Sequence, residues 1–260
     1  MSRCFVCVTC GTQFPPSAGP PESCPICLDE RQYVGHAGQR WTTLAELGPD
    51  HRSDVRELEP GLLGIGTEPA FAIGQRALHV EDGVLWDCVT VLDKSAATTI
   101  ERAGGIHTIA VSHPHFYSAM VEWADRFDAR ILLHEDDREW VMRPSPRIEH
   151  WSGERADAGG AVELIRLGGH FPGATVALWN GALFSGDTVM VVADRDRASF
   201  MWSYPNLIPL PARELERMRG VLEALEFDRV YGAWWDRVML GDAKAKVLRS
   251  ADRYLDAVRG

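Results

Sequence analysis

Three apolar runs in this chain end abruptly on residues that bind metals. Ile106-His107-Thr108-Ile109-Ala110-Val111 leads into Ser112-His113-Pro114-His115. Leu167 leads into Gly168-Gly169-His170-Phe171-Pro172-Gly173, and Leu183-Phe184-Ser185-Gly186 leads into Asp187. A short apolar run bounded by turn signals reads as a buried strand. Each polar ending therefore falls at the carboxyl end of a strand, where layered α/β proteins place their ligands. This constrains the fold, because three separate strand ends must meet at one edge. Alternate residues of extended backbone share a side, so His113 and His115 present their rings together. The glycines before His170 permit a sharp bend. Each residue alone is most simply a polar group at a strand end. Together they form a transition-metal set of imidazoles and one carboxylate, so His113, His115, His170 and Asp187 are the expected ligands of one ion.

The remaining pattern supplies the layers. Strands are expected over 61–65, 71–73, 77–80 and 84–91, with Glu81-Asp82-Gly83 as a hairpin turn. A helix follows over 96–103, closed by Gly104-Gly105, then a strand over 106–111. A helix over 116–127 puts Met120, Trp123, Ala124 and Phe127 on one face; a strand over 130–133 and a short helix over 135–141 come next. The second half repeats the order: strands over 162–167, 175–179 and 182–184, with a hairpin at Asn180-Gly181. A helix over 211–225 begins at Pro211, a strand covers 229–231, and a helix over 242–258 is capped by Asp242. Strands then helices, twice over, predict an α/β (α+β) domain over 41–260, a four-layer αββα sandwich with helices outside two sheets. Thr43 and Glu46 have capping-box spacing for a short opening helix.

Residues 1–40 differ in kind. Five of the six cysteines lie in the first 27 residues, and Pro15-Pro16-Ser17-Ala18-Gly19-Pro20-Pro21 excludes helix or sheet interior. Cys7-Val8-Thr9-Cys10-Gly11 and Cys24-Pro25-Ile26-Cys27 are paired knuckles that turn both sulfurs to one point. This unit resembles a zinc ribbon, with Cys7, Cys10, Cys24 and Cys27 as a closed structural zinc site; iron, as in a rubredoxin, is the alternative. Cys4 reads as a strand residue outside that set, and Cys88 as a small core residue.

The chain has 260 residues and a formal net charge of -10. That field repels phosphate backbones and anionic lipid, so neither nucleic acid nor membrane is an expected partner. No stretch is long and apolar enough to span a bilayer. The start lacks the pattern of a signal peptide, and a cytoplasmic location is the default expectation. A small-molecule substrate is the expected partner, and self-association into a homo-oligomer is compatible with this composition.

Residues 60 to 240 resemble the metallo-β-lactamase superfamily. Its first motif runs His, any residue, His, any residue, Asp, His, and His113 and His115 match the first two histidines. Gly169-His170-Phe171-Pro172-Gly173 is similar to its Gly-His-Thr-Pro-Gly motif, and Ser185-Gly186-Asp187 to its bridging carboxylate. Asp87 fits the early strand-end Asp that orients the ligands from behind. The departures are as informative. Tyr117 and Ser118 stand at the Asp and His positions of the second metal, and Gly232-Ala233-Trp234-Trp235 stands where the late His motif belongs. The second metal thus keeps only Asp187.

The resemblance implies a mononuclear zinc hydrolase attacking an ester, thioester or lactone carbonyl. Asp187 would orient or deprotonate water and Tyr117 would donate to an oxyanion or leaving group. Phe116, Phe171 and Trp234 are the expected pocket aromatics, with Trp202, Tyr204 and Trp235 nearby. His134 reads as structural. Two other readings use the same residues. His113, His170 and Asp187 form the two-His-one-carboxylate set of non-haem iron oxygenases, as in persulfide dioxygenases. A non-catalytic ligand-binding or scaffold protein would also tolerate the lost second site.

Overall fold

Alternation along each strand decides where the layers lie. In the computed structural model, which describes residues 2–260, seven strands form one sheet. Their order is Ile148–Trp151, Arg130–His134, Thr108–Ala110, Val84–Trp86, Ala77–Val80, Leu62–Glu68 and Arg52–Glu59. The first three pairings are parallel and the last three antiparallel. Six strands form the other sheet, in the order Arg155–Gly159, Val162–Arg166, Thr175–Trp179, Ala182–Gly186, Arg229–Gly232 and Val238–Leu240. Only Ala182–Gly186 and Arg229–Gly232 pair in parallel there.

Successive side chains point to opposite faces of a strand. Ile131 and Leu133 accordingly pack outward with Met120, Trp123 and Ala124 of the helix Met120–Phe127, whereas Leu132 packs between the sheets. In the second sheet Val176 and Leu183 face the outer helices Ala212–Glu223 and Ala243–Arg259, while Ala177 and Phe184 face the first sheet. Three apolar layers therefore separate four structural layers, the expected αββα sandwich. A fully buried side chain such as Phe184 contributes about 1.5–3 kcal/mol to holding them.

Local chemistry explains several elements. Asn180 and Gly181 have φ of 45° and 75°, the positive pair that a two-residue hairpin turn demands between Trp179 and Ala182. The Thr43 side chain accepts from Glu46 N, as the capping spacing predicts. Prolines 15 and 16 lie in Gln13–Ser17, an edge strand of a small sheet ordered Gln13–Ser17, Arg3–Cys7, Trp41–Thr42. An edge strand needs no donor on its outer side.

Other expectations are corrected. The segment 71–73 is a turn, with Gly74 N donating to Phe71 O. The strand begun at Val84 ends at Trp86, because Asp87 takes φ 59°. The helix expected over 116–127 splits into a 3-10 turn, Pro114–Phe116, and the helix Met120–Phe127. Between them Ser118 has φ 46° and is held by the ribbon, since Gln13 N donates to Ser118 O at 3.0 Å. Asp242 takes φ 52° and its side chain caps nothing. The strand Arg52–Glu59 was not expected, because it is an edge strand with no fully buried residue and few apolar residues to mark it.

Candidate metal centres

Strand ends from both sheets converge on one edge. His113 and His115 follow Thr108–Ala110, His170 follows Val162–Arg166, and Asp187 follows Ala182–Gly186. All four are buried, and Asp187 is the most exposed at 5%. One ligand atom from each lies within 4.8 Å of the others. His113 Nε2 stands 3.2 Å from Asp187 Oδ1, and His115 Nδ1 stands 3.3 Å from His170 Nε2. A tetrahedral ion with metal–ligand bonds of 2.0–2.1 Å has ligand–ligand edges of about 3.3 Å. Neither His113 Nε2 nor Asp187 Oδ1 has a hydrogen-bond partner, which is costly for a buried polar atom unless a cation takes the lone pair.

The opposite ring atoms of His113 and His170 are held by the protein, as is usual for metal-binding imidazoles, whereas His115 Nε2 has no partner. His113 Nδ1 lies 3.0 Å from Ser112 Oγ, and His170 Nδ1 lies 3.2 Å from the carbonyl of Met201. A carbonyl only accepts, so His170 carries its proton on Nδ1 and leaves the Nε2 lone pair facing the cluster. Asp87 Oδ1 accepts from Ser112 N at 2.8 Å and so fixes the backbone from which His113 projects. Burial holds His113 and His115 well below the usual histidine range and takes His170 down to about 4. It pushes the carboxyls up, Asp187 to about 8 and Asp87 to about 7. Neutral imidazoles are the form that binds metal, and an ion would supply the charge that burial removes.

Two glycines shape the loops. Gly169 has φ 81°, and a Cβ there would lie 2.6 Å from Met218 Sδ; at Gly186, φ 53°, it would lie 2.9 Å from Ser112 Oγ. Only glycine lets these strand ends close so tightly around His170 and Asp187.

Of the expected pocket aromatics, Phe116 packs edge-on to His113 at 4.7 Å between centroids. Phe171 stacks on His113 at 5.4 Å and meets His115 edge-on at 5.0 Å. Trp234 is farther out: its Nε1 donates to Ile73 O at 2.8 Å, and its ring lies 6.4 Å from Phe116. It borders a groove of about 560 Å³ with Met190, Val191, Met201, Tyr204 and Leu207. Tyr204 donates its hydroxyl hydrogen to Asp187 O at 2.8 Å, so the groove adjoins the cluster. The Tyr117 hydroxyl, expected to serve catalysis, points instead to Asp137 O at 3.5 Å, and Ser118 Oγ lies 2.8 Å from Thr90 Oγ1. Neither adds a ligand. His134 is structural, its Nε2 on Gly153 O and its ring against Trp151.

Sequence reasoning missed Asp137, Met201 and Arg31. Asp137 Oδ1 accepts from Gly173 N at 2.8 Å and anchors the His170 loop, yet it sits in a charged stretch that reads as exposed helix. Arg31 donates to His170 O at 3.2 Å from 139 residues away, a contact no local pattern announces.

The second centre lies in the small sheet. Cys7, Cys10, Cys24 and Cys27 are all buried and form a four-sulfur group; Cys4 stands outside it. Cys7 and Cys27 sulfurs are 3.6 Å apart, and Cys10 and Cys24 sulfurs 3.7 Å. These are far too long for disulfides and match the edge of about 3.75 Å for a tetrahedron with 2.3 Å metal–sulfur bonds. Hydrogen bonds from Cys10, Cys24 and Cys27 pull the Cys7 thiol below its ordinary range, and Gln39 Nε2 donates to its sulfur at 3.1 Å. Cys88 is buried core.

Comparison with known proteins agrees with this architecture. No family model matches the chain. The uncharacterized protein YmaE of Bacillus subtilis (strain 168) is 46% identical, over 98% of this chain and 96% of its own length. Among solved structures, a B3 metallo-β-lactamase with an active-site glutamic acid superposes with a TM-score of 0.53 at 17% identity, covering 79% of this chain and 88% of its own. A chemotaxis sensor, ODP, described as a peroxy diiron species, superposes at 0.51 and 17% identity over 80% of this chain and 94% of its own.

Proposed function

Given that the chain belongs to the family of YmaE and has the metallo-β-lactamase fold, we propose that it is a metal-dependent hydrolase holding one zinc ion on His113, His115 and His170, with Asp187 beside it and the fourth position left to water. The substrate is a small ester, thioester or lactone. The observation that carries the reading is the 3.2 Å approach of His113 Nε2 to Asp187 Oδ1, two buried atoms with no hydrogen-bond partner, beside the 3.3 Å approach of His115 Nδ1 to His170 Nε2. The absence of ligand side chains at Tyr117 and Ser118 supports one ion rather than two.

Zinc, when bound, polarises a carbonyl and lowers the pKa of a water molecule towards about 7. The chain's own residues do the rest. Asp187 is the only carboxylate in the group and the natural acceptor for a proton leaving that water. Tyr204, bonded to Asp187 O, fixes the backbone of that carboxylate. Phe116 and Phe171 cover the imidazoles and exclude bulk water, which strengthens every polar contact inside. The groove beside Asp187 receives the apolar part of the acyl group, between Met190, Val191, Leu207 and Trp234. Tyr117 takes no part, since its hydroxyl faces Asp137. The cysteine ribbon holds a second zinc with no open position, as structure.

The test is metal analysis of protein purified without added metal, together with hydrolysis of an ester, thioester and lactone panel by wild type and His170→Ala. The proposal expects two zinc ions per chain, one in each centre, and hydrolysis abolished in the variant. Iron at the histidine site with oxygen uptake would replace it by the oxygenase reading. Activities unchanged in folded His170→Ala would replace it by the scaffold reading.

A further inference from the structure

The segment that leaves the second cysteine knuckle does not continue into solvent. Asp29, Glu30 and Arg31 follow directly on Cys27-Leu28 and lie against the loop that carries His170. Arg31 is the centre of this contact. Its side chain is 10% exposed. Its Nε and Nη2 form a fork on the Asp29 carboxylate at 2.6 and 2.9 Å, and its Nη1 donates to the carbonyl of His170 at 3.2 Å. Its guanidinium carbon sits 3.8 Å from the centroid of Phe171, with Trp140 and Trp202 at 5.3 and 5.5 Å. Phe171 is therefore clamped between the guanidinium and the imidazoles of His113 and His115. Glu30 O is tied down as well, accepting from Ser203 Oγ at 2.5 Å and Asn206 Nδ2 at 2.6 Å. Met201, two residues before Ser203, supplies the carbonyl that sets the His170 tautomer.

Both faces of His170 thus depend on chain that the ribbon holds: its main chain through Arg31, and its Nδ1 partner through the Met201–Ser203 strand bound to Glu30. Asp29 neutralises the guanidinium, so the role is orientation rather than charge. We propose that Arg31 is a positioning residue for His170, and that through it the cysteine ribbon sets the metal affinity of the histidine centre. Coupling of this kind is reciprocal: an ion in one centre strengthens binding in the other by the same factor. The inference rests on metal binding by the histidine group, and not on the reaction assigned to it.

The test is a cobalt titration of the full chain with zinc retained on the ribbon, read by the visible absorption of cobalt at the imidazole site. Arg31→Met weakens cobalt binding by about 10–100-fold, the usual cost of losing a residue that orients a metal ligand, and alters the band shape. Arg31→Lys keeps the charge but not the fork, and is weakened alike. Cys24→Ser weakens it too, and combining it with Arg31→Met costs less than the sum of the two, because they share the Arg31 contact. Arg31→Met with wild-type affinity and spectrum would overturn the inference, as would full rescue by lysine or additive effects of Cys24→Ser and Arg31→Met. Should Arg31→Met fail to fold, Ser203→Ala with Asn206→Ala releases Glu30 instead, and unchanged cobalt affinity there overturns it equally. A wild type that binds no ion at the histidines would sink the metal-centre reading itself, a distinct result.

Discussion

Replacing Gly169 by alanine tests the link between backbone freedom and the histidine centre. The residue has φ 81°, and its added Cβ would stand 2.6 Å from Met218 Sδ and 3.1 Å from Leu210 Cδ1, both in the core under the second sheet. The left-handed conformation costs an alanine about 1–2 kcal/mol. Crowding a packed core costs about 1–3 kcal/mol more. Against this, alanine restricts the unfolded chain, which stabilises by about 0.4–1 kcal/mol. The penalties win, and the net loss is about 1–5 kcal/mol by those three figures. Urea unfolding would show it as a lowered midpoint with an unchanged slope. Pushing residue 169 away from Met218 also shifts His170, so cobalt affinity at the histidine centre falls in the same variant. Met218→Ala opens the space that the new methyl needs, so the double variant loses less stability than the two singles together. A loss under about 0.5 kcal/mol for Gly169→Ala, or strict additivity with Met218→Ala, would refute the reasoning.

Three further outcomes follow from the same geometry. Cys27→Ser removes one ligand of the closed four-sulfur group, and native mass spectrometry should find one ion fewer per chain. Gly64→Ala places a Cβ 2.6 Å from Trp235 Cζ3 and should destabilise by about 1–3 kcal/mol, with a change in tryptophan fluorescence. His79 is fully buried, its Nε2 2.6 Å from Gly105 O, and burial lowers its pKa from the ordinary value near 6.5. The unfolded chain therefore takes up the proton first. The contribution of His79 is whole above about pH 6.5 and is lost as pH falls from there through the lowered folded value. Melting temperatures measured across that window should fall less steeply in His79→Gln, and equal slopes would remove His79 as the cause.

Much of this molecule was legible in one dimension. The hairpin at Asn180-Gly181 needs only two residues that tolerate positive φ. The cysteine spacing defines the four-sulfur group because two intervening residues leave the thiols little choice. His113, His115, His170 and Asp187 were legible because strand ends are marked by an apolar run that stops, and because neutral imidazoles beside a carboxylate have a distinct chemistry. The four layers followed from strands and helices that repeat in order. Elements that lack such a local signature were missed. Arg52–Glu59 is an edge strand whose exposed face carries charge, and the kink at Ser118 exists because the ribbon grips Ser118 O, a contact across 105 positions of sequence.

Tertiary structure alone decided which polar residues serve the centre. Tyr117 occupied a motif position and was assigned a catalytic hydroxyl, but the chain turns at Ser118 and sends that hydroxyl to Asp137 O. Arg31 and Asp137 had no motif, yet they hold the main chain on either side of Phe171. The physical reason is the same in each case. The sequence by itself determines local conformation and the chemical types available, since these depend on neighbours a few residues away. Which backbone carbonyl a distant guanidinium reaches depends on how the ribbon, the loops and the two sheets pack, and that is settled only when the whole chain is folded.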